Sequence, residues 1–129
     1  MKQIQFILTL LLAAVVLAAC GGAAQSGAAT AVESYLAALV TKDADKLSTL
    51  SCAAWETQAI LEMDSFEAVA PQLEGVACQE SGKDGDFTLV DCQGKIITTY
   101  DGEQTELELD RWTYELVQQD GNWLVCGYR

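Results

Sequence analysis

Residues 83–129 read KDGDFTLVDCQGKIITTYDGEQTELELDRWTYELVQQDGNWLVCGYR, and this stretch decides the fold. Three Asp-Gly pairs, beginning at Asp84, Asp101 and Asp120, are strong signals for tight turns between antiparallel strands. Between these turns the residues follow the period of two that is typical of strands with one buried face. The pattern predicts a four-stranded antiparallel meander with the following strands: Leu73–Glu80, Phe87–Tyr100, Gln104–Gln118 and Asn122–Arg129.

The last two turns also predict which residues lie opposite each other. A two-residue loop at Asp101-Gly102 places Ile96 opposite Leu107 and Gly94 opposite Leu109. A two-residue loop at Asp120-Gly121 places Leu116 opposite Val125 and Tyr114 opposite Gly127. The inward-facing residues of the third strand therefore change from odd to even numbers along its length. Because successive side chains of a strand point to opposite faces, one extra residue is needed, and we expect a β-bulge near Asp110-Arg111 that bends the sheet.

The residues before the sheet have helical periodicity. Thr30 and Glu33 match a capping box, which predicts a first helix that begins at Thr30 and ends near Thr41. Asp43 is predicted to cap a second short helix, and a third helical segment follows it. Pro71 closes this helical half, because proline restricts the residue before it and cannot continue a helix. Helices followed by an antiparallel sheet predict an α+β fold.

The N-terminus resembles a bacterial lipoprotein signal. Lys2 precedes an uncharged apolar run over residues 6–19, which is shorter than the about 20 residues of a transmembrane helix and matches a secretory signal. The run ends in Leu17-Ala18-Ala19 before Cys20, the position that receives a diacylglyceryl group in such lipoproteins. We predict a signal peptide over residues 1–19 and acyl chains, including palmitate, attached through Cys20. An uncleaved signal anchor and an ordinary secretory signal are the alternatives.

These features place the protein outside the cytoplasm, anchored by lipid to the bacterial cell membrane. Residues 20–29 are mostly small and lack large apolar side chains, which predicts a flexible tether. The chain has 7 basic and 19 acidic residues, a formal charge of −12 and no histidine. It therefore lacks the basic face that nucleic-acid binding requires, and it excludes Ser-His-Asp catalysis and His-dependent zinc sites.

Four cysteines remain after Cys20: Cys52, Cys78, Cys92 and Cys126. An even number in an exported chain favours two disulfide bonds. A four-cysteine zinc site is disfavoured because no Cys-x-x-Cys pair is present, and we predict neither a metal nor a cofactor. Of the three pairings that remain open, we prefer Cys78 with Cys92, at near-mirror positions about one hairpin turn. Cys52 would then join the helical half to Cys126 in the last strand.

Three passages resemble the nuclear transport factor 2-like superfamily, which includes cystatin-like and SnoaL-like domains. They are AVESYLAAL at residues 31–39, VTKDADKLSTLSC at residues 40–52 and DGNWLVCGYR at residues 120–129. The resemblance implies a single cone-like domain over residues 30–129, with N-terminal helices in the concave face of a curved four-stranded antiparallel sheet. It also implies that the cone encloses a pocket, and it allows a homodimer through the open sheet face.

Residues that could line this pocket are aromatic or charged and are expected near its interior: Tyr35, Trp55, Arg111, Trp112 and Tyr114. A filled core is the simpler explanation of the aromatic residues, and an ion pair at the bulge is the preferred explanation of Arg111. We identify no catalytic pair, because Asp91 alternates with inward residues and should face solvent, whereas Asp110 lies beside the bulge.

We therefore expect a membrane-anchored lipoprotein whose domain binds a protein partner or a small ligand without catalysis. The alternative, implied by the resemblance, is an enzyme of the ketosteroid isomerase or polyketide cyclase type. Such an enzyme would use a carboxylate in an apolar pocket.

Overall fold

The computed structural model describes residues 25–129, and this range has helices first and an antiparallel sheet afterwards. The helices are α1 (Gly27–Thr41), α2 (Ala44–Leu50) and α3 (Glu56–Asp64). The strands are β1 (Ala70–Asp84), β2 (Phe87–Tyr100), β3 (Glu103–Glu108), β4 (Thr113–Gln119) and β5 (Asn122–Tyr128). The α+β fold is confirmed, with five strands instead of the predicted four. The predicted signal peptide over residues 1–19, the lipid on Cys20 and residues 20–24 of the tether lie outside the described residues.

The sheet is organised around β2. On one side β2 pairs with β1. On its other side its C-terminal half pairs with β3 and its N-terminal half with β4, and β5 lies beyond β4. Ile96 lies opposite Leu107 and Leu116 opposite Val125, as predicted. The other two predicted pairs were wrong. A register shift after Glu115 places Tyr114 opposite Tyr128 instead of Gly127, and Leu109 lies in a 3-10 turn and does not pair with Gly94. The two ends of the sheet do not meet, and the closed cone that the resemblance implied is not formed.

The predicted third strand, Gln104–Gln118, is divided in two. A 3-10 turn over Leu109–Arg111 separates β3 from β4, with Leu109 fully buried and Arg111 exposed. The position of the irregularity was predicted correctly, but its kind was wrong. A bulge would have kept one continuous strand, whereas the turn ends β3 and starts a separate strand that follows it along the same side of β2.

The first helix begins earlier than predicted. Ser26 is its N-cap, and the Ser26 hydroxyl accepts a hydrogen bond from the Ala29 backbone N–H at 3.1 Å. Residues 27–29, which the sequence placed in the tether, therefore form the first turn of α1. Ala28 and Ala29 are fully buried, which explains why the helix extends this far.

The predicted capping box at Thr30 was wrong. The Thr30 hydroxyl donates to the Ser26 carbonyl, and Glu33 accepts a hydrogen bond from the Cys78 backbone N–H on β1 at 3.0 Å. The Glu33 side chain, which was expected to cap the helix, therefore binds a backbone group that is distant in sequence. The cap of α2 is confirmed, because the Asp43 side chain accepts from the Lys46 backbone N–H at 3.0 Å.

Two disulfide bonds link elements of the described range, one within the sheet and one between the helical half and the sheet. Cys78 on β1 joins Cys92 on β2, and Cys52, between α2 and α3, joins Cys126 on β5. These are the pairs preferred from the sequence. The Cys52 backbone N–H also donates to the Val125 carbonyl at 2.9 Å, which fixes the start of the α3 region on the last strand.

The main core lies between α1 and the sheet. Its fully buried large side chains come from α1, α2, the 3-10 turn and three strands: Tyr35, Leu36, Leu47, Leu109, Leu116, Val32, Val90, Val125 and Cys92. Pro71 lies within β1 instead of ahead of it. This is tolerated because β1 is an edge strand and needs hydrogen bonds on one side only.

Candidate functional site

An open pocket of about 170 Å³ lies where α1 and α3 meet the sheet. Its lining combines apolar side chains from both layers with one carboxylate: Leu36, Leu39, Glu62, Ser65, Phe66, Ile96, Leu107, Leu109, Trp112, Tyr114 and Tyr128. Glu62 is thus the only acidic or basic side chain in the wall formed by the described residues. A largely apolar concavity with a few polar groups is the usual form of a small-molecule site.

A short chain of hydrogen bonds holds Glu62. The Trp55 indole N–H donates to the Tyr35 hydroxyl at 3.0 Å, and this hydroxyl donates to Glu62 Oε2 at 3.0 Å. Glu62 Oε1 is buried and accepts no hydrogen bond from the described residues. One oxygen of the carboxylate is therefore fixed by the protein, and the other has unmet hydrogen-bonding capacity, which is costly in a buried position.

The environment of Glu62 disfavours its charged form. Burial raises the pKa of Glu62 above its usual value, and the nearby Tyr128 and Tyr35 hydroxyls oppose this shift in part. Burial, followed by the charge of Glu62, also raises the pKa values of Tyr35 and Tyr114. Burial raises the pKa of Tyr128 to about 12. The three phenols therefore stay neutral across the physiological range, and Glu62 is the group that titrates in acid.

Aromatic rings surround this carboxylate, with Tyr128 at their centre. Its ring centroid lies 5.5 Å from that of Trp55, 5.7 Å from that of Trp112 and 5.8 Å from that of Tyr114. Tyr35 meets Tyr114 edge to face at 6.5 Å. Such inclined pairs, separated by 4.5–7 Å between centroids, attract each other beyond simple area burial. The rings thus form a connected wall of defined shape.

The fold explains why these distant residues meet. Tyr114 on β4 lies opposite Tyr128 on β5, and a register shift beyond Glu115 brings them into line. Trp112 follows the 3-10 turn directly. Trp55 precedes α3, three residues after Cys52, and is therefore held near β5 by the disulfide.

Only two of the five predicted pocket residues line the pocket. Trp112 and Tyr114 line the pocket, whereas Tyr35 and Trp55 stand behind it and hold Glu62. Arg111 is exposed and does not line the pocket, because the 3-10 turn directs it away from the row of inward side chains.

The two carboxylates considered from the sequence lie outside the pocket. Asp91 and Asp110 are both exposed, and Asp91 accepts a hydrogen bond from the Thr113 hydroxyl at 2.7 Å. Glu62 was not predicted as a site residue from the sequence. A signal was present, because Glu62 lies seven residues after Trp55, and residues two helical turns apart share one side of a helix.

Two further observations limit the chemistry of the described range. Among residues 25–129, no three His, Cys, Asp or Glu side chains converge in a group that could hold a metal ion. In the same range no helix is long and apolar enough to cross a membrane. The two disulfide bonds indicate an oxidising compartment outside the cytoplasm.

Comparison with known proteins gives a fold likeness. No protein-family model and no curated protein sequence matches this chain. The fold is similar to the solution structure of a SEC-C motif containing protein from Rhodopseudomonas palustris, with a TM-score of 0.52 and 13% sequence identity. The match covers 81% of this chain and 80% of that one. At this identity the likeness shows the fold alone.

The assignment of the domain to the nuclear transport factor 2-like superfamily was wrong. The similar solved structure is that of a SEC-C motif containing protein, and no comparison supports a nuclear transport factor 2-like domain or a lipoprotein. The passages that carried the resemblance encode an amphipathic helix, a capped short helix and a terminal strand. Many α+β domains combine such elements, so these passages did not specify a superfamily.

Proposed function

We propose that this protein is a ligand-binding domain outside the cytoplasm, which holds a small molecule beside Glu62 without transforming it. We also propose that lipid on Cys20 anchors it to the cell membrane. The observation that carries the binding function is the pairing of Glu62, which keeps one buried oxygen without a partner, with an unfilled aromatic pocket. A ligand with a hydrogen-bond donor and an apolar part would donate to this oxygen and at the same time cover the apolar wall of the pocket.

The size of the pocket favours a small ligand over a peptide or protein partner. Its volume of about 170 Å³ is below the range of roughly 300–1,000 Å³ that is usual for drug-sized ligands. The protein partner considered from the sequence would need an exposed apolar patch. Of the large hydrophobic residues in the described range, Leu61, Tyr100 and Tyr128 are exposed, and Leu61 and Tyr100 do not belong to the pocket lining.

The binding proposal can be tested with dimethylbutanol, an ethanol that carries a tert-butyl group. We expect NMR titration of the full chain to shift the indole N–H signals of Trp112 and Trp55 saturably. Trp123 serves as an internal control, because it packs beside Gly27 and does not line this pocket. Equal shifts of all three indole signals, or no saturation, would contradict a specific site.

Filling the pocket provides a matched test by mutation. Leu107 lies on its wall and is half-buried, so Leu107→Trp adds volume where the structure can accommodate it. We expect this variant to lose dimethylbutanol binding, whereas Leu107→Met, which nearly conserves volume, should retain it. Retained binding by the tryptophan variant would place the ligand elsewhere.

The lipid anchor has its own experiment. The motif around Cys20 supports it, and the oxidising compartment indicated by the disulfide bonds agrees with export. We expect mass spectrometry of the native N-terminal peptide to find a diacylglyceryl group on Cys20, and Cys20→Ser to release the protein from membranes. An unmodified Cys20 in membrane-bound protein would overturn this proposal.

Proton-transfer catalysis is the second candidate function, and one observation favours it. A carboxylate with a raised pKa in an apolar pocket, next to Tyr114 and Tyr128, is the environment in which enzymes use carboxylates as acids or bases. Such an enzyme should accelerate exchange of the α-hydrogens of cyclohexanone in heavy water. Exchange at the same rate with the native chain and Glu62→Gln would eliminate this candidate and leave binding.

A further inference from the structure

We propose that the ligand of this pocket is a small organic cation, a substituted ammonium compound whose charge faces Glu62 and whose alkyl groups face the aromatic wall. This inference rests on the proposed binding function, because it names the chemical class that the same pocket would accept. It is carried by three observations: the charge of the wall, the nature of its rings and the charge of the whole chain.

Glu62 is the one carboxylate of the wall, and no cationic side chain of the described residues lines the pocket beside it. Two of the basic side chains, Lys95 and Arg129, are engaged on the surface in ion pairs with other carboxylates. Tyr35 donates one neutral hydrogen bond to Glu62, which does not cancel its charge. A cation is the ligand that would complete this site.

The rings of the wall are the type that binds ammonium groups. Phe66, Trp112, Tyr114 and Tyr128 line the pocket, and Trp112 and Tyr114 each lie within 6 Å of Tyr128 between ring centroids. A cation within about 6 Å of an aromatic face is attracted to it, and desolvated sites strengthen this attraction. Aromatic walls beside a carboxylate therefore favour a weakly hydrated, alkylated ammonium over a metal ion, which would need several oxygen ligands.

The charge of the whole chain acts in the same direction. With 7 basic against 19 acidic residues, the protein attracts cations and repels anions before contact. A carboxylate or phosphate ligand would meet this repulsion and then the charge of Glu62. A neutral ligand would fill the volume but leave the charge of the carboxylate unmatched.

Choline and dimethylbutanol form the pair of probes that tests this inference. The two molecules share one shape, because a tert-butyl group replaces the trimethylammonium group and removes only the charge. In NMR titrations of the full chain, we expect choline to bind roughly tenfold more tightly than dimethylbutanol. We expect Glu62→Gln to abolish this preference for choline.

Glu56→Gln is the matched control variant. Glu56 lies on the same helix, is exposed and does not line the pocket, so its substitution removes the same charge at a distance. This variant should keep the preference for choline.

The outcomes separate the inference from the function on which it rests. Binding of dimethylbutanol with equal or weaker binding of choline would overturn the cation and leave the pocket as a neutral-ligand site. Binding of neither probe would overturn both proposals. Loss of the preference in Glu56→Gln as well would show that general acidity, and not Glu62, selects the ligand. The comparison of the two probes on the native chain decides the inference even if Glu62→Gln fails to fold.

Discussion

Two glutamates on helices face the sheet in this molecule, and they differ in how their oxygens are used. Glu33 on α1 accepts a hydrogen bond from the Cys78 backbone N–H of β1, so it ties the helix to the edge strand. Glu62 on α3 accepts from the Tyr35 hydroxyl and keeps Oε1 buried without a partner. A carboxylate that satisfies a backbone group belongs to the scaffold, whereas one with an unmet buried oxygen at a pocket wall is a candidate for ligand recognition.

Removal of the disulfide bonds should have the largest effect on stability in both regions. Cys52–Cys126 anchors the Glu62 region across 74 residues, and Cys78–Cys92 anchors the Glu33 region across 14. Replacing both cysteines of a pair with alanine should lower the free energy of unfolding by about 4 kcal/mol for the first pair and about 3 kcal/mol for the second. Urea denaturation measures both values.

The same pair of variants should differ more clearly in binding. Loss of Cys52–Cys126 frees Trp55, which supports Tyr35 and Glu62, so dimethylbutanol binding should weaken. Loss of Cys78–Cys92 should leave binding unchanged, because neither cysteine lines the pocket. If both variants lost binding equally, the Glu62 region could not be distinguished as functional from the Glu33 region as structural.

Substitution of the glutamates themselves should have a smaller effect on stability. Glu33→Ala leaves the Cys78 N–H without its partner and should lower the free energy of unfolding by about 1–2 kcal/mol. Glu62→Gln removes a buried charge and should leave stability unchanged or slightly higher, as measured by urea denaturation. A larger loss from Glu62→Gln than from Glu33→Ala would mean that Glu62 is structural.

The smallest effect should appear as a pH dependence. Because the folded-state pKa of Glu62 is raised, its contribution to stability is present below its unfolded pKa and is lost as pH rises through its folded pKa. The titratable groups that face it are Tyr35, Tyr114 and Tyr128, whose pKa values are raised further from the acid range. Native protein should therefore lose stability relative to Glu62→Gln as pH rises through this window.

Choline binding should show the opposite pH trend. Protonation of Glu62 removes the charge that attracts the cation, so affinity should fall as the pH falls through its raised pKa. Dimethylbutanol binding should be insensitive over the same range. NMR titrations at several pH values measure both. A choline affinity that stays constant from neutral pH down through the usual glutamate range would remove Glu62 from recognition.

Local signals predicted much of the fold. The turns at Asp101 and Asp120 placed β2, β5 and the strand pairs next to each turn correctly, and Asp43 caps α2 as expected. These signals depend on a few neighbouring residues, because the hydrogen bonds that form a tight turn or a helix cap join residues only a few positions apart. The register beyond Leu116 was wrong, because the shift after Glu115 is not visible in the turn. The prediction at Thr30 failed because Glu33 found a partner on β1 that local spacing does not reveal.

The sequence by itself determined the α+β order, the turns and the cysteines that can pair, because each depends on short-range backbone preferences or on residue type. Only the tertiary structure decided the site. Glu62 is separated from Tyr35 by 27 residues, and Trp55 from Tyr35 by 20, yet two hydrogen bonds join them. Neither the burial of a carboxylate nor the absence of a partner for its oxygen is encoded at one position. Both arise when the helices, the strands and the Cys52–Cys126 disulfide place side chains from distant parts of the chain around one pocket. The free-energy cost of burying a charged carboxylate there then raises the pKa of Glu62.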